Sequence, residues 1–247
     1  MGIYEKLLAL KKSRGAGYLV LIDPDKQPLD EVVSFARHCE DSGVDGFLIG
    51  GSLLFSNRFD ELIHAVKQAV SIPVILFPGN GQQLSPHADA ILFLSLISGR
   101  NAHYLIGEQV LSAPKIKALN LEPISTGYIL VESGKTTAAE FMSHTKPVPE
   151  EKPEIAVAHA LAAEYLGMKF VYLEAGSGAE RSVPEAMVHA VSHSVSIPVI
   201  VGGGIRTPED ARVKVKAGAS FIVTGNVLEK KKNTHLIKDF AKAIHQG

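Results

Sequence analysis

Short runs of Val, Ile, Leu and Phe recur along this chain and constrain its fold more than any other feature. There are eight such runs, at residues 18–22, 46–49, 73–77, 90–94, 127–131, 170–173, 198–201 and 220–223. Their residues do not alternate between apolar and polar, so we expect strands that are buried on both faces, as in a parallel sheet covered by helices. Helical patterns separate the runs, at about residues 29–42, 57–70, 103–119, 154–167, 184–195, 208–217 and 234–245.

The alternation of eight strands with helices favours a closed (β/α)8 TIM barrel over an open doubly wound sheet. The chain has 247 residues, the usual size of one such barrel, so we expect a single domain over residues 1–247. One connection departs from the pattern. Residues 78–89 contain two prolines and two glycines, which do not fit a crossover helix. We therefore expect a modified barrel whose third helix is replaced by a loop, with an opening in its flank for something long and apolar.

The overall composition excludes several classes of protein. The formal net charge is −1, whereas nucleic-acid-binding proteins usually carry a basic excess, so we expect no nucleic-acid partner. The short basic run of Lys230, Lys231 and Lys232 is interpreted as a solvated turn before the last helix. The single cysteine, Cys39, excludes both a disulfide framework within the chain and a cysteine-based zinc site.

No apolar stretch approaches the roughly 20 residues that a membrane span needs. The first fourteen residues are charged and lack the apolar centre of a signal peptide. The sequence thus predicts a cytoplasmic protein without a stable membrane span.

Glycine-rich turns follow the last three predicted strands, which are neighbours in a barrel. One such turn is weak evidence, because glycine also makes ordinary tight turns. Three turns at adjacent strand ends bring many backbone N–H groups together, and such groups bind a phosphate well. The three turns are residues 172–178 (YLEAGSG), 202–206 (GGGIR) and 224–226 (TGN).

Oxygen-bearing side chains follow the first two predicted strands. Asp23 comes after the first strand and Ser52 after the second. A carboxylate and a hydroxyl suit Mg²⁺, a hard cation whose remaining ligands are often substrate phosphates. In the alternative interpretation, Asp23 caps a turn and Ser52 caps the following helix.

Glu174 is the only acidic residue in the three phosphate turns. A phosphate repels a carboxylate, so we interpret Glu174 as a general base that takes a proton from a hydroxyl of the phosphate-bearing molecule. The alternative is a structural glutamate paired with Arg206 or a lysine.

These residues together resemble the geranylgeranylglyceryl phosphate synthase family of prenyltransferases, over nearly the whole chain. The GGGIR sequence at 202–206 occurs in many phosphate-binding barrels, but the full set is highly specific. The segments that carry the resemblance are residues 22–26 (IDPDK), 50–52 (GGS), 77–80 (FPGN), 98–101 (SGRN), 172–178 (YLEAGSG), 201–206 (VGGGIR) and 225–226 (GN).

The resemblance implies a TIM barrel without its third helix that joins a polyprenyl diphosphate to the C3 hydroxyl of sn-glycerol 1-phosphate and releases diphosphate. It assigns Mg²⁺ to Asp23 and Ser52, and the role of base to Glu174. The residues to which it assigns glycerol 1-phosphate are Tyr172, Leu173, Glu174, Ala175, Gly176, Ser177, Gly178, Gly203, Gly204, Gly225 and Asn226. It also implies a homo-oligomer. We expect the prenyl tail to leave through the flank, along Phe77, Phe93, Leu94 and Ile97.

Two departures from one branch of the family bear on the donor. A lysine of that branch, two residues before the aspartate, is Leu21 here, and a threonine of some members is Ser52. The chain thus resembles the other branch, whose members mostly prefer a C20 donor, with a longer heptaprenyl donor as the alternative.

Two rival functions stay open at this point. One is another phosphate-binding barrel, an isomerase or lyase with acid or base groups after the first, second and fifth strands, where Glu132 would serve. Such an enzyme needs no groove in its flank. The other is a non-catalytic barrel that binds a phosphate ligand, and a Glu174→Gln variant would distinguish it by having no turnover to lose.

Overall fold

The computed structural model describes residues 1–228 and 233–247, and over these residues eight parallel strands close into a barrel. Each strand pairs with its neighbour in sequence, and the last pairs with the first. The strands are β1 (Gly17–Ile22), β2 (Gly46–Ile49), β3 (Val74–Leu76), β4 (Ala90–Ser95), β5 (Glu122–Leu130), β6 (Phe170–Glu174), β7 (Val199–Gly202) and β8 (Phe221–Thr224). The predicted TIM barrel is confirmed. The basic run at 230–232 lies outside the described residues.

Helices surround the barrel, except between β3 and β4. Residues 77–89, all of them described, form no helix there, as the two prolines and two glycines predict. The helices are α1 (Ile3–Arg14), α2 (Leu29–Asp41), α3 (Phe59–Ala69), α4 (Glu108–Ala118), α5 (Ala138–Ser143), α6 (Pro153–Tyr165), α7 (Glu185–Ser194), α8 (Pro208–Lys216) and α9 (Leu236–His245). A π-helical turn, His103–Gly107, leads into α4. In the described part of the chain, no helix is both long and apolar enough for a bilayer crossing.

The strands are buried on both faces, which explains their continuous apolar sequences. Outward-facing residues pack beneath the helices in one large cluster. Inward-facing residues fill the barrel interior and include Leu19, Leu48, Ile75, Leu92, Ile124, Phe170, Ile200 and Phe221. The interior is thus a packed core that leaves no room for a ligand between the described strands.

Helix α1 closes the N-terminal end of the barrel. Its Ile3 and Leu7 pack against the inward-facing residues. The Glu122 carboxylate, at the start of β5, accepts hydrogen bonds from the backbone N–H groups of Ile3 (2.5 Å) and Tyr4 (3.0 Å). These N–H groups lie in the first turn of α1 and lack partners within the helix, and the negative charge also favours this end of the helix dipole.

Candidate active site

A cavity of about 1140 Å³ lies at the C-terminal ends of the strands. The structure brings together there most residues that the sequence predicted. They are Asp23, Ser52, Tyr172, Glu174, Gly176, Ser177, Gly178, Gly203, Gly204, Gly225 and Asn226. Leu173 and Ala175 do not line the cavity, because their side chains point outward into the apolar layer beneath the helices.

The glycine turns after β6 and β7 lie directly against each other. Gly203 has φ +80°, and a Cβ atom there would lie 2.5 Å from the N of Gly176 and closer still to Oε1 of Glu174. Only glycine combines this backbone conformation with so close an approach. The contact brings the backbone of the two turns to one edge of the cavity.

Polar side chains join the turn after β6 to the turn after β8. The Asn226 Nδ2 donates to the Ser177 Oγ at 3.1 Å, and Lys26 Nζ donates to the Asn226 Oδ1 at 3.1 Å. A methyl group added to Gly178 would lie 3.6 Å from both the Nζ of Lys135 and the Nδ2 of Asn226. Two ammonium groups therefore lie beside the glycine turns, where their positive charge would favour a bound phosphate.

Glu174, the last residue of β6, is 5% exposed and borders the cavity. Burial raises the pKa of its carboxyl to about 7, although the N–H of Gly176, which donates to Oε1 at 2.6 Å, favours the charged form. No ion pair joins Glu174 to Arg206 or a lysine among the described residues, and Arg206 Nη2 donates instead to the Ala179 carbonyl at 2.8 Å. A carboxyl with a pKa near neutrality beside a cavity suits a general base.

An aromatic cluster closes the barrel interior at its C-terminal end, beside Glu174. The Tyr172 ring lies 5.4 Å from the rings of both Phe77 and Tyr128. The Tyr172 hydroxyl is near enough to Glu174 to favour the charged carboxylate. The angles at the Tyr172 hydroxyl do not, however, make a hydrogen bond with any described residue. Burial raises the pKa of the Tyr172 hydroxyl well above its usual range, so it stays protonated and can donate to a ligand.

Asp23 and Ser52 border the same cavity from the first two strands. Asp23 Oδ1 accepts from the N–H of Asp25 at 3.1 Å, so Asp23 does cap a turn, and its Oδ2 lies 3.5 Å from Lys26 Nζ. Ser52 does not cap a helix, because α3 begins only at Phe59.

Asp23 and Ser52 offer a metal ion only oxygen ligands, and they are too few to bind an ion by themselves. In the described part of the chain, no group of three or more His, Cys, Asp or Glu side chains could hold a metal by itself. One half-buried carboxylate and one hydroxyl fit a Mg²⁺ ion that takes its other ligands from substrate phosphates and water.

A second cavity of about 140 Å³ opens in the flank where the third helix is missing. We call it the flank groove. Its walls are the β3–β4 link, the end of β4 and the inner face of α4, which presents Gln109, Ser112 and Ile116. The residues that line both the groove and the larger cavity are Gly51, Ser52, Phe77, Tyr128 and Ala139. The two spaces therefore meet.

The flank groove has the lining that the sequence predicted, with one exception. Phe77, Phe93 and Leu94 border it. Ile97 does not, because its side chain packs in the apolar layer beneath the helices.

Comparison with known proteins identifies the family. The model of the PcrB family matches residues 9–244. This chain belongs to the PcrB family. It is 46% identical to a geranylgeranylglyceryl phosphate synthase of Chitinophaga pinensis, over 98% of this chain and 96% of the relative. The protein of the same name from Pyrococcus furiosus is 46% identical over 93% of this chain and 91% of its own length.

A solved structure agrees with the PcrB-family assignment. The (S)-3-O-geranylgeranylglyceryl phosphate synthase of Thermoplasma acidophilum, in complex with its substrate sn-glycerol 1-phosphate, superposes with a TM-score of 0.95. The two sequences are 36% identical, and the match covers 100% of both chains. The predicted resemblance to the geranylgeranylglyceryl phosphate synthase family is confirmed.

The PcrB-family barrel also differs from the rival isomerase or lyase at β5. Glu132, the acid that such an enzyme would use, is exposed and does not border the cavity. Sequence reasoning missed Tyr128 and Lys135 as site residues. Tyr128 lies in β5, which pairs with β6, and Lys135 lies in the loop after β5. Neither belongs to a motif that marks a site residue.

Proposed function

We propose that this protein is a prenyltransferase that joins a polyprenyl diphosphate, geranylgeranyl diphosphate, to the C3 hydroxyl of sn-glycerol 1-phosphate. The observation that carries the proposal is the continuity of two unlike spaces. The apolar flank groove meets the glycine-lined cavity at Gly51, Ser52 and Phe77, so an apolar tail and a small phosphate can be held with their reacting ends together. The names of the curated relatives and the substrate of the Thermoplasma acidophilum enzyme support this choice.

The glycine turns would hold the phosphate of the acceptor. The turns after β6, β7 and β8 line the cavity, so their backbone N–H groups would be the donors to that phosphate, with Ser177 and Asn226 adding side-chain donors. The glycerol C3 hydroxyl then lies beside Glu174. The C3 oxygen attacks C1 of the prenyl group, the bond from C1 to the diphosphate oxygen breaks, and the hydroxyl proton passes to Glu174. Fixing both substrates in one site supplies much of the rate by proximity.

The diphosphate would lie at the other side of the cavity, by Asp23 and Ser52. These two residues would hold a Mg²⁺ ion, which would supply positive charge to offset the negative charge of the departing diphosphate. Asp23 would orient this ion through its carboxylate, and Lys26, 3.5 Å from Asp23, would add positive charge at the same place.

The proposal is tested by incubating the protein with Mg²⁺, sn-glycerol 1-phosphate and prenyl diphosphates of 10 to about 35 carbons, a range set by the C20 and heptaprenyl alternatives. We expect a prenyl ether of glycerol phosphate, formed fastest with the C20 donor. The absence of ether with every donor would refute the proposal, and a maximum with the heptaprenyl donor would change only the donor.

A Glu174→Gln variant separates catalysis from binding. We expect a loss of turnover of about 10²–10⁴-fold, since removal of a general base has that effect, while calorimetry still shows binding of glycerol 1-phosphate. Exposed Glu132, changed to Gln, is the matched control and should retain full turnover. Equal activity of the two variants would show that Glu174 is not the base.

An Asp23→Asn variant tests the assigned metal position. We expect turnover to fall by more than tenfold, while the Kd for glycerol 1-phosphate changes by less than about twofold, because the phosphate turns lie on other strands. The measurements are steady-state kinetics at several Mg²⁺ concentrations and calorimetry. Equal losses in turnover and in acceptor binding would exclude Asp23 as a metal ligand.

A further inference from the structure

Gln83 is a fully buried polar residue in the loop that replaces the third helix. Its side chain is 0% exposed. The Gln83 Nε2 donates to the carbonyl O of Gly51 at 2.7 Å, and the Gln83 Oε1 accepts from the N–H of Gly51 at 3.1 Å. Both ends of the side-chain amide therefore bind the backbone of a single residue, at the end of the neighbouring strand β2.

The backbones around this pair of hydrogen bonds are too close for side chains. A Cβ atom on Gly50, whose φ is +151°, would lie 2.9 Å from Gln83 Oε1 and closer still to the carbonyl O of Phe77. A Cβ atom on Gly79 would lie 2.9 Å from the carbonyl O of Ser52. The turn after β2 and the β3–β4 link thus pack backbone against backbone, and Gln83 supplies the hydrogen bonds that hold them together.

Gly51, the residue to which Gln83 is hydrogen-bonded, lies where the two cavities meet. Gly51 and Ser52 line both the flank groove and the larger cavity. On its other side, Gly51 faces Asp23: a Cβ atom there would lie 3.9 Å from the Asp23 Cγ. The carbonyl O that accepts from Gln83 belongs to the Gly51–Ser52 peptide, and the N–H that donates to Gln83 belongs to the Gly50–Gly51 peptide. Gln83 therefore holds the backbone that leads into Ser52.

We propose that Gln83 is a positioning residue for the donor diphosphate. It fixes the Gly51–Ser52 peptide so that the Ser52 hydroxyl faces the head of the donor, while its own loop forms a wall of the groove for the tail. The head site and the tail site thereby form one rigid unit. This inference rests on the proposed function, because it assigns the donor to the flank groove.

The test uses Gln83→Met, which keeps the length of the side chain and removes both hydrogen bonds. The N–H and C=O of Gly51, which is half-buried, then lose their partners, and the turn shifts to regain them. The probe is geranylgeranyl thiodiphosphate, an unreactive donor analogue, titrated by calorimetry with and without Mg²⁺. We expect its Kd to rise about tenfold in the presence of Mg²⁺, and the Kd for glycerol 1-phosphate to stay within about twofold.

Gln82→Met is the matched control. Gln82 is the same residue type, directly precedes Gln83 in the chain, and is exposed. We expect its Kd values to equal those of the wild type. A similar loss in Gln82→Met and Gln83→Met would overturn the proposal, since it would reflect a general effect of changing the loop.

A double-mutant cycle with Ser52→Ala separates positioning from a purely structural role. If Gln83 acts through Ser52, Gln83→Met adds little to the loss of Mg²⁺-dependent binding that Ser52→Ala already causes. Fully additive losses would contradict the proposal. Should Gln83→Met not fold, Gln83→Asn takes its place, because the shorter amide cannot make both hydrogen bonds.

The outcomes also distinguish this inference from the function on which it rests. A wild-type protein that makes no prenyl ether with any donor refutes the proposed function. A wild-type protein that makes the ether, with a Gln83→Met variant that binds the thiodiphosphate equally well, refutes only the role of Gln83.

Discussion

Glu174 is buried by its neighbours yet borders the cavity of about 1140 Å³. Burial penalises its charged form, and the nearby N–H of Gly176 recovers only part of that penalty. The carboxyl is consequently half-protonated near pH 7, where a base can both accept a proton and release it again.

The activity should depend on the charge of Glu174. A base acts when it is deprotonated, so we expect log kcat/KM to rise with pH with a slope of one up to about pH 7 and to level off above it. A rate profile from pH 5 to 9 measures this directly. A midpoint near the ordinary value of 4.5 would contradict the effect of burial.

The same pKa predicts how Glu174 affects stability. The folded-state pKa is raised above the unfolded value, so the unfolded state binds fewer protons and stability falls as pH rises from 4.5 through about 7. At pH 8, Glu174→Gln should therefore increase the free energy of unfolding by on the order of 3 kcal/mol, and by little at pH 4. Urea unfolding at the two pH values checks this. Equal effects at both would argue against a shifted pKa.

Gly203 should be hard to replace, since its position needs both a positive φ and the absence of a side chain. Gly203→Ala should destabilise the protein by about 2–4 kcal/mol and lower activity, because the new methyl group displaces Glu174. Gly15→Ala is the control. Gly15 has nearly the same φ, +84°, but nothing lies within 4 Å of an added Cβ, so only the strain of about 1–2 kcal/mol remains. Equal destabilisation in urea would show that crowding at Gly203 is unimportant.

Single residues differ in how far the sequence alone predicts their role. Glu174, Asp23 and the glycine turns could be predicted, because residues that follow parallel strands all meet at one end of a barrel. Gln83 and Lys135 could not. Their importance depends on partners in other loops, Gly51 and Gly178, whose proximity arises only from the three-dimensional packing of those loops.

Among the larger elements, the β3–β4 link bears most directly on the proposed function. It contains Gln83, forms one wall of the flank groove and leaves the flank uncovered by a helix. Helix α4 forms the facing wall through Gln109, Ser112 and Ile116. The width of the groove is therefore set between a loop and a helix.

Filling the flank groove should raise the KM for the prenyl donor without changing the KM for the acceptor. In Ser112→Phe the new ring occupies part of a space of about 140 Å³, so we expect KM for the C20 donor to rise at least tenfold. The KM for glycerol 1-phosphate should stay within about twofold, because that site lies on other strands. Ala113→Phe, on the exposed side of α4, is the control. Unchanged donor kinetics in Ser112→Phe would mean that the tail lies elsewhere.

Two elements show where the sequence signal was incomplete. Strand β5 begins at Glu122, five residues before the predicted run at 127, because Glu122, Ser125 and Thr126 interrupt the apolar pattern. Helix α5 was not predicted, because its six residues are too few to show the repeating apolar pattern of a helix. A local signal was present, however: the Thr137 hydroxyl caps the N–H of Glu140, and Thr followed three residues later by Glu is a capping-box sequence.

For the molecule as a whole, the two ends of the barrel have separate tasks. The C-terminal end holds the cavity and the flank groove, while α1 and Glu122 close the N-terminal end. Stability and catalysis should consequently respond to different sets of substitutions.

Leu7→Ala tests this separation. Leu7 is 2% exposed and packs against the base of the barrel interior, so its truncation should lower the free energy of unfolding by about 2–5 kcal/mol. Turnover per folded molecule, measured well below the melting temperature, should remain that of the wild type. A large fall in turnover without loss of folded protein would show that the two ends are coupled.

The absence of a third helix also bears on how a finished molecule departs. The tail of the proposed product would lie in a trough along the outside of the barrel, and its phosphate would lie inside the rim. A chain in a sealed tube has to be withdrawn lengthwise, so its escape slows with every added isoprene unit. A chain in a trough can leave sideways into an adjacent apolar phase. The time that release takes then depends mainly on how tightly the phosphate is bound.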